Sequence, residues 1–182
     1  MQPENPSQPP ALDDETLAFA QRVFQHTREG RTEELAPLLD MGLPPNLRNE
    51  KGDSLLMLAC YHGHAELARA LLRHGADPDL ANDRGQTPLA GAAFKGDAAT
   101  ARLLLEHGAG VDVTGEGGRT ALMVAAMFNR TEIVELLLAH GADACARDAS
   151  GLTAEAAARA MGASDTPEQL VRWAPNDGSA GA

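Results

Sequence analysis

Gly85-Gln86-Thr87-Pro88-Leu89-Ala90-Gly91-Ala92-Ala93-Phe94-Lys95-Gly96 decides the fold. Thr87 is placed to cap a helix, its hydroxyl accepting from the unpaired N–H groups of the first turn. Pro88 follows at the first helical position, where its missing N–H costs nothing. Gly96 then supplies the left-handed residue that ends the helix. Working outward, the same punctuation returns every 33 residues: Gly52, Gly85, Gly118 and Gly151, each followed two positions later by Ser54, Thr87, Thr120 or Thr153. A second ladder runs Gly42, Gly75, Gly108, Gly141, and a third Gly30, Gly63, Gly96, Asn129, Gly162. Asn129 is the informative exception, because asparagine is the residue other than glycine that best accepts positive φ. Self-similarity at this period means a repeat array.

A second helix follows each helix-ending glycine, with apolar residues at helical spacing: Leu67, Ala68, Leu71 and Leu72 in one unit, Ile133, Val134, Leu137 and Leu138 in another. It stops at Gly75, Gly108 or Gly141, and a polar stretch such as Asp77 to Arg84 returns the chain as a turn or hairpin connector. Two short helices cannot bury enough surface against each other to offset their ordering entropy, so neighbouring units must share one continuous core. The expected architecture is an all-α repeat solenoid of about five units, each a helix pair joined by hairpin-like loops.

The Gly85–Gly96 stretch, taken with Leu103-Leu104-Leu105-Glu106-His107-Gly108-Ala109, resembles the ankyrin repeat consensus. The likeness is specific in units 51–83, 84–116 and 117–149, and degenerate units (16–50 and 150–173) extend it over residues 16 to 173. The histidine of the usual Thr-Pro-Leu-His is replaced by Met57, Ala90 and Met123, which removes one family hydrogen bond per repeat and leaves the fold expectation intact. Terminal units of such arrays are atypical because one face has no neighbour. In the first of them Pro37 falls several residues past the cap candidate Thr32, which predicts a second helix that begins late or kinks. The last unit should hold an Ala-rich helix over 154–161 and a final helix carrying Leu170, Val171 and Trp173. Residues 1–15 and 174–182, rich in Pro or in Gly, Ser and Ala, read as disordered tails.

Composition narrows the function. The formal net charge is −11, with Lys and Arg scattered singly, so nucleic acid is not expected as a ligand, because phosphate binding needs clustered cations. A basic protein partner would suit the acidity. No apolar run reaches membrane-spanning length, and two cysteines, Cys60 and Cys145, do not make a disulfide framework. The N-terminus has neither the basic residues nor the apolar run of a secretory signal, so a cytoplasmic monomer is expected. Arginine outnumbers lysine 13 to 2, which with abundant Ala and Gly fits a GC-rich bacterial genome.

Chemistry is hard to place on this pattern. His74, His107 and His140 recur every 33 residues, but successive helices pack about 8–10 Å apart whereas zinc holds each nitrogen at about 2.0–2.1 Å. They read as helix-end residues beside the last carbonyls. Cys60 falls on a small-residue packing face, Cys145 lies in a connector, and Gly115-Glu116-Gly117-Gly118 lacks the lysine and spacing of a phosphate loop. No catalytic residue, metal site or cofactor is expected, so the chain is read as a non-enzyme.

What the resemblance implies is recognition. In ankyrin repeats, contacts come from the hairpin tips and from two positions near the end of each first helix, which here are Tyr61 and His62, Phe94 and Lys95, Met127 and Phe128. Tyr61, Phe94 and Met127 are 33 apart and should form one column. Exposed aromatics of this kind suggest a binding face, the competing view being that they fold down as peripheral core. Tip residues Glu50, Lys51, Asp53, Asp83, Arg84, Gln86, Glu116 and Arg119 would form a mixed-charge rim. The expected function is an adaptor or scaffold binding a protein partner through the concave face and tips. The alternative is a dedicated inhibitor, immunity protein or stabilising partner of one enzyme or toxin.

Overall fold

The computed structural model describes residues 13–115 and 117–173. Among them are ten helices: α1 (Asp14–Glu29), α2 (Thr32–Asp40), α3 (Leu55–His62), α4 (Ala65–Arg73), α5 (Pro88–Lys95), α6 (Ala98–Glu106), α7 (Ala121–Met127), α8 (Thr131–Ala139), α9 (Ala154–Ala160) and α10 (Thr166–Val171). They form five antiparallel pairs. Odd-numbered helices pack in sequence as one layer and even-numbered helices as the other. The odd layer is the more tightly associated. Its facing residues are small (Ala59, Cys60, Ala92, Ala93, Ala125 and Ala126, all fully buried), so backbones approach closely; the solvent-facing side of this odd layer is the inner face of the stack.

The capping logic operates in every central unit. The Ser54, Thr87, Thr120 and Thr153 side chains accept from the backbone N–H of Met57, Ala90, Met123 and Ala156. Gly63, Gly96 and Asn129 all have positive φ, Asn129 at 55° and alone among the described non-glycine residues. Leu67, Leu71, Leu104, Ile133 and Leu137 are essentially inaccessible, in one apolar core running from α1 to α10.

Departures occur at the ends. α1 begins at Asp14, capped by the Asp13 carboxylate accepting from Thr16 N–H at 2.7 Å, so the folded part starts earlier than residue 16. Residues 1–12 and 174–182, expected to be tails, lie outside the described residues. α2 does not begin late: it starts at Thr32, with Arg31 rather than Thr32 at the cap, and carries Pro37 inside. Pro37 is on the exposed side, where water can satisfy the carbonyl left without its helical donor. α9 stops at Ala160 and α10 at Val171, leaving Trp173 beyond the last helix.

Asn129 does more than accept positive φ. Its side-chain oxygen accepts from the N–H groups of Asp165 (2.9 Å) and Thr166 (3.1 Å), and its amide donates to Asp165 Oδ2 (2.7 Å) and Ser164 (3.1 Å). The Asp165 pKa is lowered, first by the Asn129 amide and then by the Ser164 hydroxyl, which donates to Oδ2 at 2.7 Å. With the buried bond from Thr166 Oγ1 to the Ala126 carbonyl (2.7 Å), the Asn129 bonds latch the terminal pair onto the array.

Candidate functional site

The inner face of α3, α5 and α7 is capped by three rings. Tyr61 and Phe94 stack with centroids 5.1 Å apart and planes 4° from parallel, and Phe94 meets Phe128 edge to face at 4.8 Å and 82°. They remain 36–40% exposed, whereas Leu55, Leu58, Leu89, Ala92, Ala93, Ala125 and Ala126 of the same three units are buried. The expected column of Tyr61, Phe94 and Met127 is therefore corrected at its third place. Met127 lines the hollow beside the column, and Phe128, at the register of Lys95 and His62, supplies the ring that touches Phe94.

Beneath the rings lies a hollow of about 350 Å³, floored by Met57, Ala90, Gly91 and Val124 and walled on the tip side by Arg84, Gly85, Gln86 and Arg119. Lys95 is exposed next to Phe94. His62 sits edge-on to Tyr61 at 5.4 Å. Its pKa is lowered, first by partial burial and then by the positive surroundings of His64, Arg28 and Lys95.

The tips are built by a second set of side chains. Asn49 and Asn82, 33 residues apart, each accept with Oδ1 from two N–H groups of their own turn, at Lys51 and Asp53 and at Arg84 and Gln86. Asp148 does the same for Ser150 and Leu152. The third unit has Gly115 at this register, where any Cβ would collide with the Gly85 carbonyl, so two tips stand in backbone contact there.

This construction reassigns part of the expected rim. Asp53 is buried: its carboxylate accepts from Asn82 Nδ2 at 2.7 Å across the repeat boundary and from Asn49 Nδ2 at 3.1 Å within its own turn. Gln86 is exposed but holds the other proton of Asn82 Nδ2 at 3.0 Å. Arg119 approaches the buried Asp148 at 3.8 Å and otherwise remains exposed. Arg84 is exposed and lines the hollow with its side chain in no ion pair among the described residues. Glu116 lies outside the described residues.

A further ladder was not apparent in the sequence. Asn46, Asp79 and Asp112, spaced by 33, accept from the N–H groups of Asp77, Gly110 and Asp143 in the following connector, at 2.8–3.2 Å. Their period was legible in principle but hidden by the abundance of acids in the connectors.

The histidine ladder is structural. His74, His107 and His140 follow the last residues of α4, α6 and α8, and each places Nδ1 on the carbonyl four residues back, at 2.8–2.9 Å. Among the described residues, no group of three or more His, Cys, Asp or Glu is arranged to hold a metal. No described helix is long and apolar enough to cross a membrane. Cys60 is fully buried, with its thiol pKa pushed well up by desolvation, and Cys145 is exposed.

Helix pairs at a 33-residue period and small-residue stacking define a helical repeat protein. The profile of the family described as ankyrin repeats (3 copies) matches residues 24–115, 56–148 and 92–176. The chain belongs to the ankyrin repeat family. A curated ankyrin repeat protein of Pseudomonas aeruginosa is 58% identical over 60 residues, which span 33% of this chain and 35% of that one. Ankyrin repeats generally mediate protein–protein interaction and are typically non-catalytic.

Proposed function

We propose that the chain is a non-catalytic adaptor or scaffold module that binds a protein partner through the inner face of α3, α5 and α7. The observation that carries this reading is the Tyr61–Phe94–Phe128 stack, held partly exposed over a hollow lined by the half-buried Ala90, Val124 and Met127. Large rings of restricted rotamer freedom lose little entropy on binding and dominate interface energetics. His62, Lys95 and Met127 flank them; Arg84, Gln86 and Arg119 form the rim. Asp53 acts through the stability of the tips and not by touching the partner. The inhibitor or stabilising-partner reading uses the same face and differs in having one high-affinity target. We place the module in the cytoplasm, acting as a monomer.

The test is affinity capture from lysate of the source cells, with the wild type beside a Tyr61→Glu, Phe94→Glu, Phe128→Glu triple variant. The variant is expected to keep its helical circular dichroism and lose the captured proteins. Identical capture by both refutes the assignment of the face. Loss of the helical signal shows that the rings are core.

A further inference from the structure

We propose that the hollow receives a short acidic segment of the partner, with one aliphatic or aromatic side chain seated over Gly91 and its carboxylates on Arg84 and Arg119. This rests on the reading of the inner face as the binding surface and adds what is bound there.

Gly91 is the first observation. Its register is held by Leu58 one unit before and by Val124 one unit after, both of which present side chains to the inner face. A glycine inside a helix costs stability relative to alanine, so it needs a reason. The backbone supplies none, because Gly91 is not among the positive-φ glycines. Crowding forbids no methyl group: an added Cβ would stand 3.4 Å from Met57 Sδ and from the Tyr61 nitrogen, at the tight edge of ordinary contact. What the missing side chain does is leave the notch between Met57, Phe94 and Val124.

Charge is the second observation. Although the whole chain is strongly acidic, α3, α5 and α7 contain no carboxylate at all. In these three units the acids lie on the outer helices (Glu66, Glu106, Glu132, Glu135) and in the loops and connectors. The described residues lining the hollow include two arginines and no Asp or Glu. Of the nearby described tip acids, Asp83 pairs with Arg48 at 3.1 Å, Asp53 is buried against Asn82, and the buried Asp148 approaches Arg119 only at 3.8 Å, leaving the guanidinium exposed. Net charge acts at long range on encounter, whereas contact selectivity follows the local groups. An acidic segment therefore fits this face, although the total charge suggests a basic partner.

The probe is a display library of random dodecapeptides selected on the full chain and counter-selected on Phe94→Glu. Enriched peptides are expected to place two or more Asp or Glu within a few residues of a Leu, Phe or Trp. Made as labelled peptides, they should lose about tenfold or more in affinity on Gly91→Leu, which fills the notch, and on Arg84→Glu with Arg119→Glu. Gly91→Ala, the milder filling, should fall between, and added salt should weaken binding. Enrichment of basic or uncharged motifs, or affinities indifferent to Gly91→Leu, overturns the inference while leaving the binding face standing. Self-association abolished by Gly91→Leu overturns it in favour of a second copy of the chain. Absence of any peptide sensitive to Phe94→Glu overturns both the inference and the binding face.

Discussion

Asn82→Ala isolates what holds one tip to the next. The side chain makes four hydrogen bonds: Nδ2 to Asp53 Oδ1 at 2.7 Å and to Gln86 Oε1 at 3.0 Å, and Oδ1 from the N–H groups of Arg84 at 3.1 Å and Gln86 at 2.9 Å. Arg84 and Gln86 are exposed, so water replaces most of what their groups lose. The buried Asp53 oxygen has no such recourse, and an unsatisfied buried acceptor costs about 1–3 kcal/mol. The whole substitution should cost about 2–3 kcal/mol, which for a chain of this size lowers Tm by roughly 5–10 °C. Thermal and urea unfolding followed by circular dichroism read it directly. The decisive comparison adds Asp53→Ala alone and the double variant. Once Asn82 is gone, removing the stranded carboxylate relieves the penalty, so the double variant should be more stable than the sum of the singles predicts by about 1 kcal/mol or more. Additive singles, or an Asp53→Ala protein as stable as wild type, would refute the inter-repeat role and return Asp53 to the rim.

Three further outcomes are expected. Asn129→Gly keeps the positive φ and removes the latch, so hydrogen exchange of α10 should accelerate while that of α5 does not. Because the Asp165 pKa is lowered, the contribution of its carboxylate is present above the ordinary value of 3.8 and is lost as pH falls through the lower folded value; exchange of wild-type α10 should therefore rise in that acid range and that of Asn129→Gly should change less. The His74 pKa is raised, first by the Ala70 carbonyl and then by Asp40, so its stabilisation is complete below 6.5 and fades as pH climbs through the folded value; the urea midpoint of His74→Gln should approach that of wild type across that interval. A thiol reagent should titrate one cysteine, Cys145, in the native protein and both in urea, since the Cys60 thiol is buried and its thiolate strongly disfavoured; rapid native reaction of Cys60 would contradict the packing.

The sequence disclosed those features that depend on neighbours along the chain. Ser54, Thr87, Thr120 and Thr153 cap helices because a hydroxyl three residues from an N–H is a local arrangement, and positive φ at Asn129 is a property of one residue. Features that depend on the next unit were harder to see. Asp53 looked like any polar tip residue, and only the stacked structure brings Asn82 onto it. Phe128 took the ring position expected for Met127 because contact between columns depends on how side chains lean, which a count of 33 does not specify. Gly91 passed as one more small residue in an Ala-rich helix until its neighbours in register, Leu58 and Val124, were seen to present side chains on the same face.

The Asn46, Asp79 and Asp112 clasps give the molecule a direction. In every case the earlier unit offers the oxygen and the later one the backbone N–H. During synthesis, an emerging connector thus meets a predecessor whose acceptor is already fixed, and order can spread behind the ribosome in the order of translation. At the next place in that series stands Cys145, whose side chain is a weak acceptor, and the Asn129 latch joins the last helix pair to the pair before it.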